Sequence, residues 1–305
     1  MLYIFILIII FIIFISIYII KNKFTIPNSK KIAILFLTRD NHKKYNLYEK
    51  FFENADKNKY NIYTHAKYPE DLTNPIFKNT IIDKYVDTKW ARFSLFEAMY
   101  ELVKAAYNDD MNNEYFIFIS ESTIPVKSFN YMYNYLTKDT RSHIEIYDGR
   151  LFQKNQLFLE NYDKSQLKKG SQWVCLNRYH AKIIIDNYDM AFKLFQTDDE
   201  DGKKNNATVP DEYVIPTILH LKDKKLNKNN INKNLTYVKW NSINKTCNII
   251  NGYENKNLVK KNPCSYNKID DKELKYLIKS ELLFFRKVSE NIILNEKLLY
   301  DEYDN

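Results

Sequence analysis

The sequence predicts an α/β domain built on a parallel or mixed sheet with helices on both faces. Two observations lead there. From residue 31 onward, apolar strand-like runs alternate with amphipathic helical stretches at the spacing of βαβ units. The composition also supplies a large aromatic core, with 45% hydrophobic residues and 25 Tyr and 19 Phe against 4 Gly in 305 residues. No G-x-G-x-x-G and no P-loop motif occurs, which argues against the dinucleotide-binding and P-loop branches of the α/β class.

Taken in order, residues 2–20 are apolar apart from Ser16 and the tyrosine hydroxyls. Such a run just crosses a hydrocarbon core of ~30 Å. No cationic segment precedes it and no small-residue cleavage site follows, so an uncleaved transmembrane anchor (1–21) is expected rather than a signal peptide. A short stalk with Pro27 (22–30) and one domain (31–305) follow. Lys21, Lys23, Lys30 and Lys31 all lie after the apolar run, and the positive-inside rule would keep that side cytosolic.

The run KIAILFLTRD is a buried strand ending in a polar turn. A helix over 45–55, a strand over 60–65 and a short strand within 79–86 come next. Residues 93–107 form an amphipathic helix, with Phe96, Met99, Tyr100, Val103 and Ala106 on one side. YFIFIS (115–120) is a central strand that runs on into ESTIPV. A basic, Gly-hinged turn at Lys168, Lys169 and Gly170 leads to a strand over 172–176 and a helix over 177–195. Pro210 then opens a helix at a position where its missing N–H costs nothing, with Val214, Ile215, Ile218 and Leu219 as its buried face. After Leu221 come a Lys/Asn-rich loop, a strand over 236–240, a helix over 269–279 and a last strand over 282–287.

Lys+Arg 46 less Asp+Glu 38 gives a net charge of +8. That balance suits nucleic acid, anionic lipid or a phosphorylated substrate. The basic residues are scattered rather than gathered in a stripe, so no nucleic-acid partner is expected. Cys175, Cys247 and Cys264 make no metal-ligand pattern. Cys175 reads as a buried thiol; Cys247 and Cys264 either pair in an oxidising compartment or stay free. The sequons at Asn206, Asn234 and Asn244 carry little weight in so Asn-rich a chain.

The candidate site centres on Asp211 and Glu212, in the first turn of the helix opened by Pro210. A carboxylate there is held rigidly and faces whatever the preceding loop encloses, the place to look for a general base. The plainer reading is that the pair complements the helix dipole, worth ~0.3–1 kcal/mol. Thr38, Arg39 and His65 end the first two strands, at the carboxyl edge where open α/β sheets bind ligands.

Eight motifs in order (KIAILFLTRD, NIYTHA, KWARFSLFEA, YFIFISESTIPV, KKGSQWVCLNRYHA, VPDEYVIPTIL, TYVKW and LLFFRKVS) together resemble the core-2/I-branching glycosyltransferases, family 14. That family includes β-1,6-N-acetylglucosaminyltransferases and peptide O-xylosyltransferases, and the plant-type members are the nearest in pattern. The resemblance spans roughly residues 31–290. It implies a GT-A-like fold and an inverting transfer from a UDP-sugar, with N-acetylglucosamine the default, to a glycan or glycoprotein hydroxyl. It further implies a single-pass anchor through residues 2–20 and a catalytic domain in the Golgi or ER lumen, against the lysines after the anchor. No metal cofactor is implied, and Ser120-Glu121-Ser122 stands where a D-x-D motif would follow the strand. Asp199-Glu200-Asp201 is formally D-x-D but sits in a charged run with no strand before it, and reads as a solvated loop.

By the same resemblance Glu212 is the general base. Lys287, with Arg286 beside it and Lys268 upstream, stabilises the leaving UDP. Thr38, Arg39 and His65, by their place at the carboxyl edge, are donor-side candidates; Trp173 and Lys169 border the acceptor, or Trp173 is simply a core residue. Trp90 is expected to pack in the core. A rival reading is a catalytically silent carbohydrate-binding membrane protein on the same fold.

Overall fold

The first strand, β1 (Lys31–Thr38), divides the hydrophobic core in two. Ile32, Ile34 and Phe36 point into one apolar cluster, and Ala33, Leu35 and Leu37 into the other. Side chains alternate across a strand, so a strand with both faces covered must be apolar at every position. In the computed structural model, residues 30–149, 156–196, 209–240 and 263–304 are described.

The chain continues through α1 (Tyr45–Glu53), β2 (Tyr60–Ala66), α2 (Phe93–Asp109), β3 (Asn113–Ile119), β4 (Thr123–Pro125) and α3 (Phe129–Thr137). Then come β5 (Ser142–His143), β6 (Ile146–Asp148), β7 (Lys168–Gly170), β8 (Cys175–Asn177), α4 (Arg178–Asp186), α5 (Tyr188–Phe195) and α6 (Pro210–Lys222). The last elements are β9 (Asn230–Ile231), β10 (Thr236–Val238), β11 (Tyr266–Lys268), α7 (Asp271–Lys279), β12 (Phe284–Arg286), β13 (Val288–Ile293) and α8 (Glu296–Tyr303).

The central sheet runs β2-β1-β3-β8-β5-β9. β1 pairs in parallel with β2 and β3, through Ile34↔Ile62 and Ile34↔Ile117, and β5 in parallel with β9; β8 is antiparallel to both neighbours. Helices α2, α4 and α6 cover one face through Phe96, Ile184 and Val214. Helices α1, α3, α7 and α8 cover the other through Tyr48, Phe129, Leu274 and Leu299. This mixed, mostly parallel sheet between helices fits a GT-A-like architecture. A smaller sheet, β10-β12-β4, and the hairpin β6–β7 carry the remaining site residues.

Four local expectations change. The strand within 79–86 reduces to one bridge, Thr64↔Ile81, because the Val86 N–H bonds to the His65 ring instead of to a ladder. The helix over 177–195 is two helices, broken at Asn187, whose side-chain amide donates to the Ile183 carbonyl at 2.8 Å and competes with the helix backbone. The basic turn at 168–170 is a strand of the β6–β7 hairpin. A Cβ on Gly170 would sit 2.4 Å from the Glu145 carbonyl oxygen, so glycine is what lets the two strands close. Trp90 does not pack; it is 85% exposed, on a turn where Ala91 takes φ 58°.

Among the described residues no helix is long and apolar enough to cross a membrane; residues 2–20 lie outside them. Asp199-Glu200-Asp201, Asn206, Asn244 and Cys247 also lie outside. Cys264 is disulfide-bonded and Cys175 is a buried free thiol.

A buried polar relay fixes the far end of α6. Asn177 N–H donates to Ser142 Oγ at 2.8 Å, Ser142 Oγ meets His180 Nδ1 at 2.7 Å, and His180 Nε2 meets Asp223 Oδ2 at 3.0 Å. His180 is fully buried, so the relay ties β5, α4 and the C-terminus of α6 together rather than serving a substrate. His180→Ala strands the Ser142 hydroxyl proton and takes one of two partners from Asp223 Oδ2, which keeps the Asn229 amide at 2.9 Å. It is expected to cost ~1–3 kcal/mol per group left unpaired, read as a lower urea midpoint. An unchanged midpoint would show that the relay does not hold the helix.

Candidate active site

Glu212 reaches its place through a clamp between α6 and β7. Thr217, one turn and a half along α6 from Glu212, accepts from Lys168 N–H at 3.0 Å and donates to the Lys168 carbonyl at 2.9 Å. With Lys168 held on both sides, the next residue, Lys169, projects to Glu212, and its Nζ lies 2.8 Å from Glu212 Oε2. The Tyr213 ring sits 5.4 Å from the same ammonium. Burial works against the charged Lys169, but the hydrogen bond and charge of Glu212 outweigh it and hold the amine above its ordinary range.

Two backbone features set the turn that carries Glu212 apart. Val209, the residue before Pro210, takes φ 40°, ψ 65°, a left-handed conformation that a β-branched residue adopts only at a cost of ~1–3 kcal/mol. Pro216 lies inside the helix and has no N–H to offer the Glu212 carbonyl four residues back. Both keep the first turn of α6 from being an ordinary helix start.

Arg286 closes the cluster from the small sheet. It ends β12 between Val238 of β10 and Thr123 of β4, and its guanidinium lies 4.0 Å from the centroid of the Trp173 ring. Its Nε is buried with no hydrogen-bond partner. Burial lowers its pKa to about 10, opposed by the charges of Glu121, Asp211 and Glu212, so it remains a cation at neutral pH. Glu121 follows β3 at the carboxyl edge of the sheet, and this places the cluster along that edge.

Asp211 is the buried member. It is 7% exposed, and its Oδ1 has no hydrogen-bond partner. Burial, with the charge of Glu212 added, raises its pKa to about 7, against the pull of Lys169 and Arg286.

The same edge carries the residues that end β1 and β2. His65 is buried, accepts at Nε2 from Val86 N–H at 3.1 Å and stacks on Tyr85 at 5.9 Å. That acceptor role puts the proton of the neutral ring on Nδ1, which is buried without a partner. Burial lowers the His65 pKa and keeps the ring neutral. A cavity of about 160 Å³ opens beside it, lined by Ala66, Ile82, Asp83, Lys84 and Tyr85. Thr38 spends its hydroxyl on the Asp40 carbonyl, and Arg39 lies over the Tyr68 ring with most of its side chain in solvent.

The structure thus brings together Glu212, Lys169, Arg286 and Trp173, and sets Thr38, Arg39 and His65 on one edge. Trp173 is buried, at 8% exposed, and its ring carries the Arg286 guanidinium. Lys287 is half-buried next to Arg286, with its backbone bonded to Cys264 and Tyr266. Lys268 is exposed on β11, and among the described residues no hydrogen bond or ion pair joins it to the cluster. Sequence reasoning gave no role to Thr217, Glu121 or Tyr147, which faces Lys169 across the hairpin. Only the Thr of the PTIL segment offered a signal, as a polar residue within a buried helical face.

A family model described as core-2/I-branching enzyme matches residues 32–275. Glycosyltransferase BC10 of Oryza sativa subsp. japonica is 25% identical over 215 residues, covering 63% of this chain and 54% of that protein. The chain therefore spans about half the length of the curated relative it matches. With most of its length matched by one family model, and with the cluster around Glu212 at the sheet's carboxyl edge, the chain belongs to the core-2/I-branching enzyme family.

Proposed function

We propose that the protein is an inverting glycosyltransferase that moves a sugar, N-acetylglucosamine by default, from a UDP-sugar to a glycan or glycoprotein hydroxyl without a metal ion. The observation that carries this reading is Glu212, held by Lys169 on a strained first turn and facing the fixed cation Arg286. The acceptor oxygen bonds to the anomeric carbon while the bond from that carbon to UDP breaks. The hydroxyl proton passes to the Glu212 carboxylate, and the electron pair leaves with the diphosphate. Arg286 and Lys287 meet the growing charge, as preorganised cations do for other leaving groups.

His65 Nδ1–H and the neighbouring cavity suit the base of the nucleotide, with Thr38 and Arg39 at the same edge and Lys268 a more distant donor-side cation. Metal independence is supported by Ser120 and Ser122, neutral hydroxyls 3.2 Å apart at the end of β3, where paired carboxylates would hold a divalent ion. We place the anchor in residues 2–20 and the domain in the secretory lumen.

The test is UDP release by the purified full-length chain from a panel of UDP-sugars in excess EDTA. Release from one donor, undiminished by EDTA, supports the reading. Release only after Mn²⁺ is restored rejects the metal-free mechanism, and sugar binding without release leaves a silent carbohydrate-binding protein. Arg286→Met and Lys287→Ala are each expected to weaken UDP binding. For Arg286, loss of a charged hydrogen bond predicts ~10–100-fold by calorimetry. Unchanged UDP affinity in both variants would remove the cations from the account.

A further inference from the structure

Beside the base stands an aromatic ring that this mechanism does not use. Tyr147 lies on β6 directly opposite Lys169 of β7 in an antiparallel register. Opposed residues in such a pair project from the same face of the ribbon, so Tyr147 and the ammonium that holds Glu212 share one face. The charges of Lys169 and Glu212 both act on the Tyr147 hydroxyl. Tyr147 is 48% exposed, whereas the other aromatics of the cluster, Trp173 and Tyr213, are buried at 8% and 1%. Trp173 has Arg286 on its ring and Tyr213 lies under Lys169. Tyr147 is thus the ring of this cluster that offers an open face within reach of the base.

A sugar that gives its hydroxyl to Glu212 must bring its ring against the surface next to that carboxylate. Pyranose rings present a face of C–H bonds, which packs on an aromatic face while the hydroxyls around the rim stay free for polar partners. We propose that Tyr147 is a specificity-determining residue of the acceptor subsite, stacking one face of the acceptor pyranose whose hydroxyl is delivered to Glu212. The inference rests on the glycosyltransferase reading above and names the acceptor side of that same site. Gly170 matters to it indirectly, since the close approach of β6 and β7 puts the tyrosine and Lys169 in register.

The test uses the full-length chain with the donor that the panel selects and methyl pyranosides as acceptors. Tyr147→Ser is expected to raise the acceptor KM about tenfold, the size of one good aromatic contact. Donor hydrolysis in the absence of acceptor, and UDP affinity, should stay at wild-type values, which a misfolded variant would not allow. Tyr147→Phe should keep the wild-type acceptor KM, because stacking needs the ring and not the hydroxyl. An unchanged acceptor KM in Tyr147→Ser would overturn the assignment. So would an equal loss in Tyr147→Phe, or a wild-type enzyme that turns over donor yet is saturated by no pyranoside. Failure of the underlying reading looks different, because wild type would then release no UDP from any donor. Equilibrium titration with the same pyranosides, followed by tryptophan fluorescence, would then still decide: equal affinity in wild type and Tyr147→Ser rejects the subsite.

Discussion

Glu212→Gln is expected to lose ~10²–10⁴ of the transfer rate while still binding UDP, the usual scale for removal of a general base. The amide keeps the length and shape of the side chain and can still accept from Lys169 Nζ, so the geometry of the clamp survives. What disappears is the capacity to take the acceptor proton. Turnover measured as UDP release in the presence of acceptor, alongside UDP affinity by calorimetry, separates the two effects. Unchanged turnover would dismiss Glu212 as the base and leave it as a complement to the helix dipole. Parallel loss of turnover and UDP affinity would instead make it a donor-binding group.

Asp211→Asn is expected to stabilise the fold, and to do so most at alkaline pH. Burial raises the Asp211 pKa from its ordinary 3.8 to about 7. Between those values the folded protein holds a proton that the unfolded chain releases. The associated stability is therefore complete below pH 3.8 and is lost as pH rises through about 7. At 1.36 kcal/mol per pH unit the gap corresponds to at most about 4 kcal/mol. Asparagine has no charge to bury, so the variant lacks this slope. Urea midpoints for both proteins at pH 5 and pH 8 test it. The difference between the two proteins isolates Asp211, because His65, His180 and the other titrating groups are common to both. Parallel pH profiles would mean that the carboxyl is not buried as charge beside Glu212, Lys169 and Arg286. A stabilised variant would mark Asp211 as a charge retained at the expense of the fold, as is common where a site needs polar groups in a desolvated place.

Much of the fold was legible because its signals are local. The uninterrupted apolar run of β1 announces a strand covered on two sides, and the spacing of Phe96, Met99, Tyr100, Val103 and Ala106 announces the buried face of α2. Pro210 followed by Asp211 and Glu212 marks a helix start in the residues themselves. The elements that were missed or misplaced depend on partners elsewhere. Lys168–Gly170 looks like a turn until the Glu145 carbonyl approaches it, and residues 79–86 look like a strand until the His65 ring takes the Val86 N–H.

By itself the sequence determined the class of fold, the position of Glu212 on a first turn, and the cations Arg286 and Lys287 at the end of a strand. Only the tertiary structure decided what each of these meets. Lys169 and Glu212 are far apart in the chain and come together because Thr217 clamps Lys168 to α6. Trp173 meets Arg286 although the two are far apart in the chain, because Arg286 ends β12 of the small sheet while Trp173 precedes β8 of the central one. Periodicity and capping report what a residue does with its own few neighbours. An ion pair, a buried carboxyl or an open aromatic face depends on which strands lie side by side, and no local pattern encodes that.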